Sequence, residues 1–276
     1  MKIDISQIKL PAMPMVAQKI LSLNMSNDRD QDALVPVICQ CPVTSARIVS
    51  MANSVSLNSG FVISSVKEAV QRIGLTTAYN SALASALFTL KSQAGAHDFD
   101  YNAIWKHSTE VRQVMQAFAK LMRSFERPLP QDIALVALLH DIGFLAYKAI
   151  NPELTDKLII RINKGEDTDT VAEQLFGMSH DTLGAALLSS WSIPEKIVTA
   201  VKWHHHEDYD NPIYEGKSLS NLLAITDASL MHSIHSYDPH SEILTLEKAA
   251  SLLRTNQEDL EMTINSLKEE GITISL

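Results

Sequence analysis

The stretch ALLHDIG, residues 137–143, decides the fold and raises the question of function. His140 lies seven residues after Ile133 and four after Val136, which places its imidazole on the apolar stripe of an amphipathic helix. A buried polar group without a partner costs about 1–3 kcal/mol on mutational scales. The pattern leaves two alternatives: a core histidine that hydrogen-bonds a carbonyl group, or a residue of a ligand or catalytic site.

The composition predicts a helical globular protein. The chain has 276 residues, of which 46% are hydrophobic, with only 9 Gly and 10 Pro. Leu, Ala, Ser and Glu are frequent and few runs are β-branched, so we expect an all-α fold. The net charge is −9 and no run of Lys or Arg marks a basic surface, so nucleic acid is not expected as a partner.

Three sequence features favour a cytoplasmic protein. Cys39 and Cys41 lie in an apolar stretch without a second cysteine pair, so we expect buried free thiols rather than zinc ligands. The N-terminus lacks the charged start and apolar core of a signal peptide. No apolar run is expected to approach the roughly 20 residues that span a bilayer, so a membrane is not an expected partner.

The polar segment KSQAGAHDFD, residues 91–100, is predicted to divide the chain into two helical lobes. It contains Gly95 and is too short for a free linker. We expect residues 1–95 to form an N-terminal lobe and residues 96–276 to form a second lobe that ends in two short helices. Those C-terminal helices either pack against the second lobe or form a surface for a partner or a homodimer.

Several other residues repeat the pattern of His140. Five further residues also lie on the apolar faces of predicted helices: His107, His180, His204, His205 and Asp227. Ionised carboxylates are rarely buried unless they are paired or bind a metal. Imidazoles and carboxylates without thiolates suit Fe, Mn, Zn or Ni, and a carboxylate such as Asp141 can bridge two metals. The sequence therefore predicts either one shared polar or metal cluster or a set of separate core histidines.

The order of these residues resembles a known superfamily. His107, the pair His140-Asp141 and Asp227 are similar to the H…HD…D pattern of the HD-domain metal-dependent phosphohydrolases. His180 and the pair His204-His205 resemble the additional ligands of the cyclic-dinucleotide phosphodiesterases in that superfamily. The resemblance implies that all seven residues are candidate metal ligands, and that His140 and Asp141 are the candidates for a catalytic role.

Motifs in both lobes narrow the resemblance to HDOD, the HD-related output domain of bacterial signalling proteins. They cover roughly residues 5–230 and include LPAMP at 10–14, MANS at 51–54, ISSVKEA at 63–69, WKHS at 105–108 and WSIP at 191–194. The HDOD resemblance implies an all-α fold of two helical lobes and a regulatory role in bacteria.

Three positions depart from the phosphodiesterase pattern and argue against activity. In the phosphodiesterase pattern HD-I-G is followed by a Lys, which can pair with phosphate, whereas this chain has Phe144 at that position. Residues 210–214 (DNPIY) replace a Gly-Tyr-Pro signature. Ala103 stands where some members carry a carboxylate for a third metal.

Two functions follow from these observations. The preferred hypothesis is a signal-transduction module that regulates signalling proteins through protein contacts, with an optional divalent metal between its lobes and no organic cofactor. The alternative is a metal-dependent phosphohydrolase, in which the H…HD…D residues hold the metal that activates water. In that case Lys148 or Lys202 has to supply the missing cation, although each also fits a solvated surface lysine.

Overall fold

The computed structural model describes residues 10–55, 63–87, 101–205, 214–230 and 244–276, and the regular secondary structure in these ranges is α-helical throughout. The predicted all-α fold is confirmed. The chain forms two compact units, one of Ala12–Ala94 and one of Gly95–Leu276 with Met1–Pro11. The predicted lobe boundary at residue 95 falls in residues 88–100, outside the described part of the chain, and stays a prediction.

The described residues of the smaller unit form the helices α1 (Met15–Leu21), α2 (Asp28–Ile38), α3 (Pro42–Val55), α4 (Val66–Ile73) and α5 (Leu75–Leu87). α5 packs against α1 and α3, and α3 also packs against α4. Ser65 caps α4 by accepting a hydrogen bond from the amide of Glu68. Gly74 ends α4 with a φ of 82°, a conformation that glycine adopts without steric cost.

The two cysteines lie in the connection between α2 and α3. Both are free thiols, but Cys39 is exposed and Cys41 is half-buried. The prediction of buried thiols is wrong because α2 ends at Ile38 and α3 begins at Pro42, so the apolar stretch is broken at the cysteines. Connections between helices run over the protein surface.

The described residues of the larger unit form the helices α6 (Tyr101–Leu121), α7 (Pro130–Leu139), α8 (Ile142–Ile150), α9 (Pro152–Ile162), α10 (Thr168–Phe176), α11 (His180–Ser190), α12 (Glu195–Lys202), α13 (Tyr214–Ser229), α14 (Leu246–Leu253) and α15 (Gln257–Glu269). α6, α7, α12 and α13 form a four-helix group, and α11 packs against α8 and α12. Fully buried side chains such as Met115, Phe118 and Leu223 fill the core of this group.

The two C-terminal helices pack against the four-helix group. α14 contacts α6 and α13, and α15 contacts α6. Beyond Gly271, whose φ is 89°, the amide of Ser275 donates a hydrogen bond of 2.9 Å to the carbonyl of Ser229 at the end of α13. Ile272 and Ile274 are buried. Packing of the C-terminal helices against the second lobe, one of the two alternatives left open by the sequence, is therefore observed.

The segment Pro130–Ile150 has the length and the mean hydropathy, 1.7, of a membrane-spanning helix, so the expectation of no such apolar run is wrong. It is split into α7 and α8, and 78% of its apolar window is buried inside the protein. A second candidate, Asp28–Ile38 with Pro42–Ser54, is bent by 107° at its break. The first segment is therefore buried in the way expected of two core helices, α7 and α8.

α8 and α11 approach each other so closely at Gly143 that a side chain does not fit there. A Cβ atom on Gly143 would lie 2.0 Å from the carbonyl oxygen of His180. On α11, a Cβ atom on Gly184 would lie 3.3 Å from the amide nitrogen of Gly143. The two glycines thus allow the start of α11 to lie against the start of α8, next to Asp141.

We expect Gly143→Ala to destabilise the larger unit. Overpacking costs about 1–3 kcal/mol, and here the added methyl group meets backbone atoms that cannot rotate away. Urea denaturation should show a lower free energy of unfolding, with a smaller effect for Gly184→Ala, where the nearest atoms are 3.3–3.5 Å away. A Gly143→Ala protein as stable as the wild type would contradict the close packing of α8 on α11.

Candidate metal centre

The helix ends of the larger unit bring the predicted ligands together. The structure places His107 on α6, His140 and Asp141 between α7 and α8, His180 at the start of α11, His204 and His205 after α12, and Asp227 on α13. All seven predicted ligands therefore belong to the larger unit, and the placement of a metal between the two lobes stays a prediction. Packing within the four-helix group and α11 is sufficient to collect every candidate ligand in one unit.

His107, His140 and Asp141 form a first triad. Their donor atoms all lie within 4.8 Å of one another. Oδ2 of Asp141 is 3.3 Å from Nε2 of His140 and 3.9 Å from Nε2 of His107. All three side chains are buried, with 3% or less of their surface exposed. Two imidazole nitrogens and a carboxylate at this spacing are able to share one divalent cation.

His180, His204 and His205 form a second triad, whose ring nitrogens also lie within 4.8 Å of one another. Nε2 of His205 is 3.2 Å from Nε2 of His180, and the ring centroids of His204 and His205 are 4.0 Å apart. His180 and His204 are buried, whereas His205 exposes 16% of its side chain. The second triad is therefore the side of the site that faces solvent.

Two carboxylates connect the triads. Asp141 places Oδ2 near His140 and Oδ1 3.5 Å from Nε2 of His180. Asp227 places Oδ1 2.8 Å from Nε2 of His107 and Oδ2 3.8 Å from Nε2 of His205. Each carboxylate thus contacts at least one imidazole of each triad, and the seven predicted residues form one cluster.

The protonation of the cluster follows from burial and from the neighbouring charges. Burial would raise the pKa of Asp227, but the hydrogen bond from His107 holds that pKa well below its usual value. Burial would lower the pKa of His140, but the carboxylates of Asp141 and Asp227 raise it. Burial and the neighbouring histidines hold the pKa of His204 well below its usual value. His204 is therefore neutral at pH 7, which is the form of histidine that binds metals.

Backbone carbonyls orient two of the imidazoles. Nδ1 of His140 donates to the carbonyl of Ala137 at 2.9 Å, and Nδ1 of His204 donates to the carbonyl of Val201 at 2.5 Å. Because these bonds place a proton on Nδ1, the neutral form of each ring has its lone pair on Nε2, facing the cluster. Both Nε2 atoms are buried; that of His204 makes no hydrogen bond among the described residues, and that of His140 lies 3.3 Å from Oδ2 of Asp141.

These two nitrogens bear on whether the cluster fits a metal. A carbonyl hydrogen bond, as in a core histidine, is present but satisfies only Nδ1. Buried polar atoms left without a hydrogen bond are uncommon and ask for an explanation. A divalent cation bound to the Nε2 atoms of His140 and His204 and to the adjacent carboxylates would fit the donor set. The residues present therefore fit a metal.

Asp169 also belongs to the site, although it is not among the residues predicted from the sequence. It lies in the first turn of α10, with Oδ1 3.3 Å from Nδ1 of His180. Burial would lower the pKa of His180, but the hydrogen bond to Asp169 raises it to about 9. Burial would raise the pKa of Asp169, but the same bond lowers it to about 2. A carboxylate behind a ligand histidine fixes the orientation of the ring.

Phe144 occupies the position after HD-I-G and contacts the second triad. It is fully buried, and its ring stacks on His180 with the centroids 4.8 Å apart and the planes at 23°. An aromatic ring therefore covers His180 where the phosphodiesterase pattern has a cation. The replaced signature at residues 210–214 lies outside the described side chains.

The two lysines that the phosphohydrolase alternative requires have other partners. Lys148 is only 2% exposed and its ammonium group lies 2.7 Å from Oδ1 of Asp156, so the prediction of a solvated surface lysine is wrong for this residue. Lys202 is exposed, and its ammonium group lies 4.9 Å from the centroid of the Trp203 ring. Neither described contact is with a residue of the cluster.

Comparison with known sequences identifies one family. The model of the HDOD domain matches residues 10–207. A curated relative, an uncharacterized protein from Treponema pallidum (strain Nichols), is 20% identical over 223 residues. That match covers 78% of this chain and 42% of the relative, so the chain spans less than half the length of that protein.

Solved structures share the fold. An HDOD domain protein of unknown function from Geobacter sulfurreducens aligns with a TM-score of 0.73 at 22% identity, over 96% of this chain and 92% of its own. A proposed signal transduction protein from Marinobacter aquaeolei VT8 aligns with a TM-score of 0.73 at 23% identity, over 96% and 58%. A proposed phosphohydrolase from Shewanella amazonensis SB2B reaches 0.68 at 21% identity, over 96% and 93%.

We expect Asp169→Asn to weaken metal binding without unfolding the protein. Loss of a carboxylate behind a ligand histidine lowers metal affinity by about 10–100-fold in other sites. Titration calorimetry with Mn²⁺ on chelator-treated protein measures the change.

Asp167→Asn is the matched control for Asp169→Asn. Asp167 caps the same helix by accepting from the amide of Thr170, and Asn caps equally well. Equal Mn²⁺ affinities of wild type, Asp167→Asn and Asp169→Asn would contradict the role assigned to Asp169.

Proposed function

The chain belongs to the HDOD domain family, and on that premise we propose that it is a bacterial regulatory module that acts through protein contacts and holds a divalent metal in its histidine–aspartate cluster. The observation that carries the proposal is the burial of the cluster. Asp227 is 9% exposed, the His205 side chain is 16% exposed, and the other five residues are at most 3% exposed. Structural metal sites are closed, whereas catalytic sites keep a position open for substrate or water.

The seven residues of the cluster would be able to hold one or two ions of Fe, Mn, Zn or Ni. The first and second triads each supply three ligands, and Asp141 and Asp227 face both triads. A bound divalent cation would supply positive charge that both carboxylates compensate, and in an open site it would also acidify a bound water. Asp141 and Asp227 would orient the imidazoles in either case.

Phe144 supports a role for the metal in structure or sensing. Its buried ring lies flat on His180 and excludes water from that face of the imidazole. A neutral ring cannot pair with a phosphate group, as the Lys of the phosphodiesterase pattern does. The proposed signal transduction role of the Marinobacter aquaeolei VT8 protein, which has the same fold, agrees with a regulatory module.

A metal-dependent phosphohydrolase is the second candidate function. The observation that favours it is the contact of two carboxylates with both triads, because two adjacent ligand sets would suit the pair of metals that many phosphatases and nucleases use. His140 and Asp141 would then hold the ion that binds the attacking water. The Shewanella amazonensis SB2B structure, described as a proposed phosphohydrolase, shares this fold.

We expect chelator-treated protein to take up Mn²⁺, Fe²⁺ or Zn²⁺ and to gain thermal stability. A ligand at 100 times its Kd stabilises the folded state by about 2.7 kcal/mol, which corresponds to several degrees in Tm. Asp227→Asn should lose most of the gain because it removes a charge that contacts both triads. Asp259→Asn, the same change on α15, should retain it. A Tm that no divalent metal alters would contradict the proposal.

Turnover assays separate the two candidate functions. With Mn²⁺ or Fe²⁺ supplied, we expect no hydrolysis of cyclic dinucleotides or of bis(p-nitrophenyl) phosphate above the background of buffer with metal. The regulatory proposal would be overturned by hydrolysis that His140→Ala abolishes and that Ile160→Ser, a surface change on α9, leaves intact.

A further inference from the structure

Tyr147 is a buried polar side chain of the larger unit that is not a member of the histidine–aspartate cluster. It lies on α8 and is fully buried. Its hydroxyl group donates a hydrogen bond of 2.6 Å to the carbonyl of Met178, which is 31 residues further along the chain. A buried phenol usually has a hydrogen-bond partner, so this bond alone explains only how the hydroxyl group is satisfied. The segment that contains the carbonyl gives the bond a further consequence.

The carbonyl of Met178 belongs to the short connection between α10 and α11. α10 ends at Phe176, Gly177 follows in the left-handed conformation with a φ of 79°, and α11 begins at His180. The first turn of α10 carries Asp169, which lies 3.3 Å from Nδ1 of His180. The connection therefore sets the position of a predicted metal ligand relative to the helix that orients its ring.

The ring of Tyr147 packs on the same segment as its hydroxyl group. It lies against Phe176 at the end of α10, with the ring centroids 4.2 Å apart. On α8 it meets Phe144 edge-on at 6.1 Å, and Phe144 in turn stacks on the imidazole of His180. Because protein interiors are close-packed, a shift of Tyr147 is passed on to these neighbours.

Three residues of α8 act on the start of α11. Gly143 admits the carbonyl of His180, Phe144 covers its imidazole, and Tyr147 holds the carbonyl of the residue two positions before it. Burial, and after it the acidic residues of α10 and α11, holds the pKa of Tyr147 well above its usual value. The phenol therefore keeps its proton and remains a donor. A hydrogen bond fixes angle as well as distance, so Tyr147 supplies a directional contact.

We propose that Tyr147 is a positioning residue of the metal centre, whose bond to the carbonyl of Met178 sets the place of His180 in the second triad. Nε2 of His180 lies 3.2 Å from Nε2 of His205 and 3.5 Å from Oδ1 of Asp141. Binding sites need their groups within about 0.5 Å of the productive geometry, so a small shift of α11 is sufficient to weaken the ligand set. The inference rests on the proposed metal binding and names the residue that places one ligand.

Co²⁺ binding by the whole chain after chelator treatment tests the proposal, because the visible absorption of Co²⁺ reports the ligands and geometry of its site. Tyr147→Phe removes the hydroxyl group and keeps the ring. We expect this change to lower the affinity for Co²⁺ by about fivefold or more. The absorption bands should shift toward those of His180→Gln, which lacks the ligand. A role in stability alone would lower the Tm and leave the spectrum of the bound ion unchanged.

Thr155→Val is the matched control for Tyr147→Phe. Thr155 is fully buried on α9, which supplies no predicted ligand, and its hydroxyl group donates to the carbonyl of Asn151 at 2.9 Å. The variant loses the same kind of hydrogen bond and should keep the wild-type affinity and spectrum. Phe176→Leu retains the phenol but removes the ring on which it packs, so we expect a smaller spectral shift in the same direction. This comparison decides the question for a Tyr147→Phe protein that does not fold.

A second readout needs no metal and separates this inference from the proposed function. In metal-free protein labelled with ¹³C-histidine, the ring of Phe144 should shift the NMR signals of the stacked His180 imidazole upfield. At one fixed pH, Tyr147→Phe should move these signals more than those of His107 on α6. A wild-type protein that binds no Co²⁺ but shows this selective change would refute the metal function and support the placement of His180 by Tyr147.

Two results would overturn the proposal. The first is a Tyr147→Phe protein with the wild-type affinity for Co²⁺, the wild-type spectrum and unchanged NMR signals of His180. The second is an equal loss of Co²⁺ affinity in Tyr147→Phe and Thr155→Val, which would assign the effect to the general stability of the larger unit.

Discussion

The placement of Asp141 and Asp227 among five imidazoles is the constraint on which the larger unit depends. Both carboxylates lie in the apolar interior, where an uncompensated ionised group is strongly unfavourable. Each contacts an imidazole of both triads, at distances between 2.8 and 3.8 Å. Removing one partner of a buried ionic group typically costs 3–5 kcal/mol, so the cluster stabilises the fold only as a complete set.

Packing outside the cluster makes this arrangement achievable. Gly143 leaves no room for a side chain, so the start of α11 lies directly against α8 and brings His180 to Asp141. The carbonyls of Ala137 and Val201 fix the proton of His140 and His204 on Nδ1. The orientation of the donor atoms therefore comes from backbone groups at the helix ends and not from the side chains alone.

Much of the site could be predicted from the sequence because its residues share apolar helix faces. His107 and His140 have the spacing of core residues, and such side chains need polar partners inside the core. Asp169 could not be predicted in this way, because an acidic residue in the first turn of a helix is favourable without any further role. Periodicity also fails for Lys148, since every residue of α8 from Ile142 to Lys148 is buried and no polar face remains to be recognised.

Crystals soaked in Mn²⁺ and measured for anomalous scattering test the metal site most directly. Density for Mn²⁺ bounded by the Nε2 atoms of His140 and His204 and by the carboxylates of Asp141 and Asp227 is the predicted result. Well-ordered crystals in which these side chains keep their places, and in which manganese is bound elsewhere or not at all, would contradict the assignment of this cluster as a metal centre.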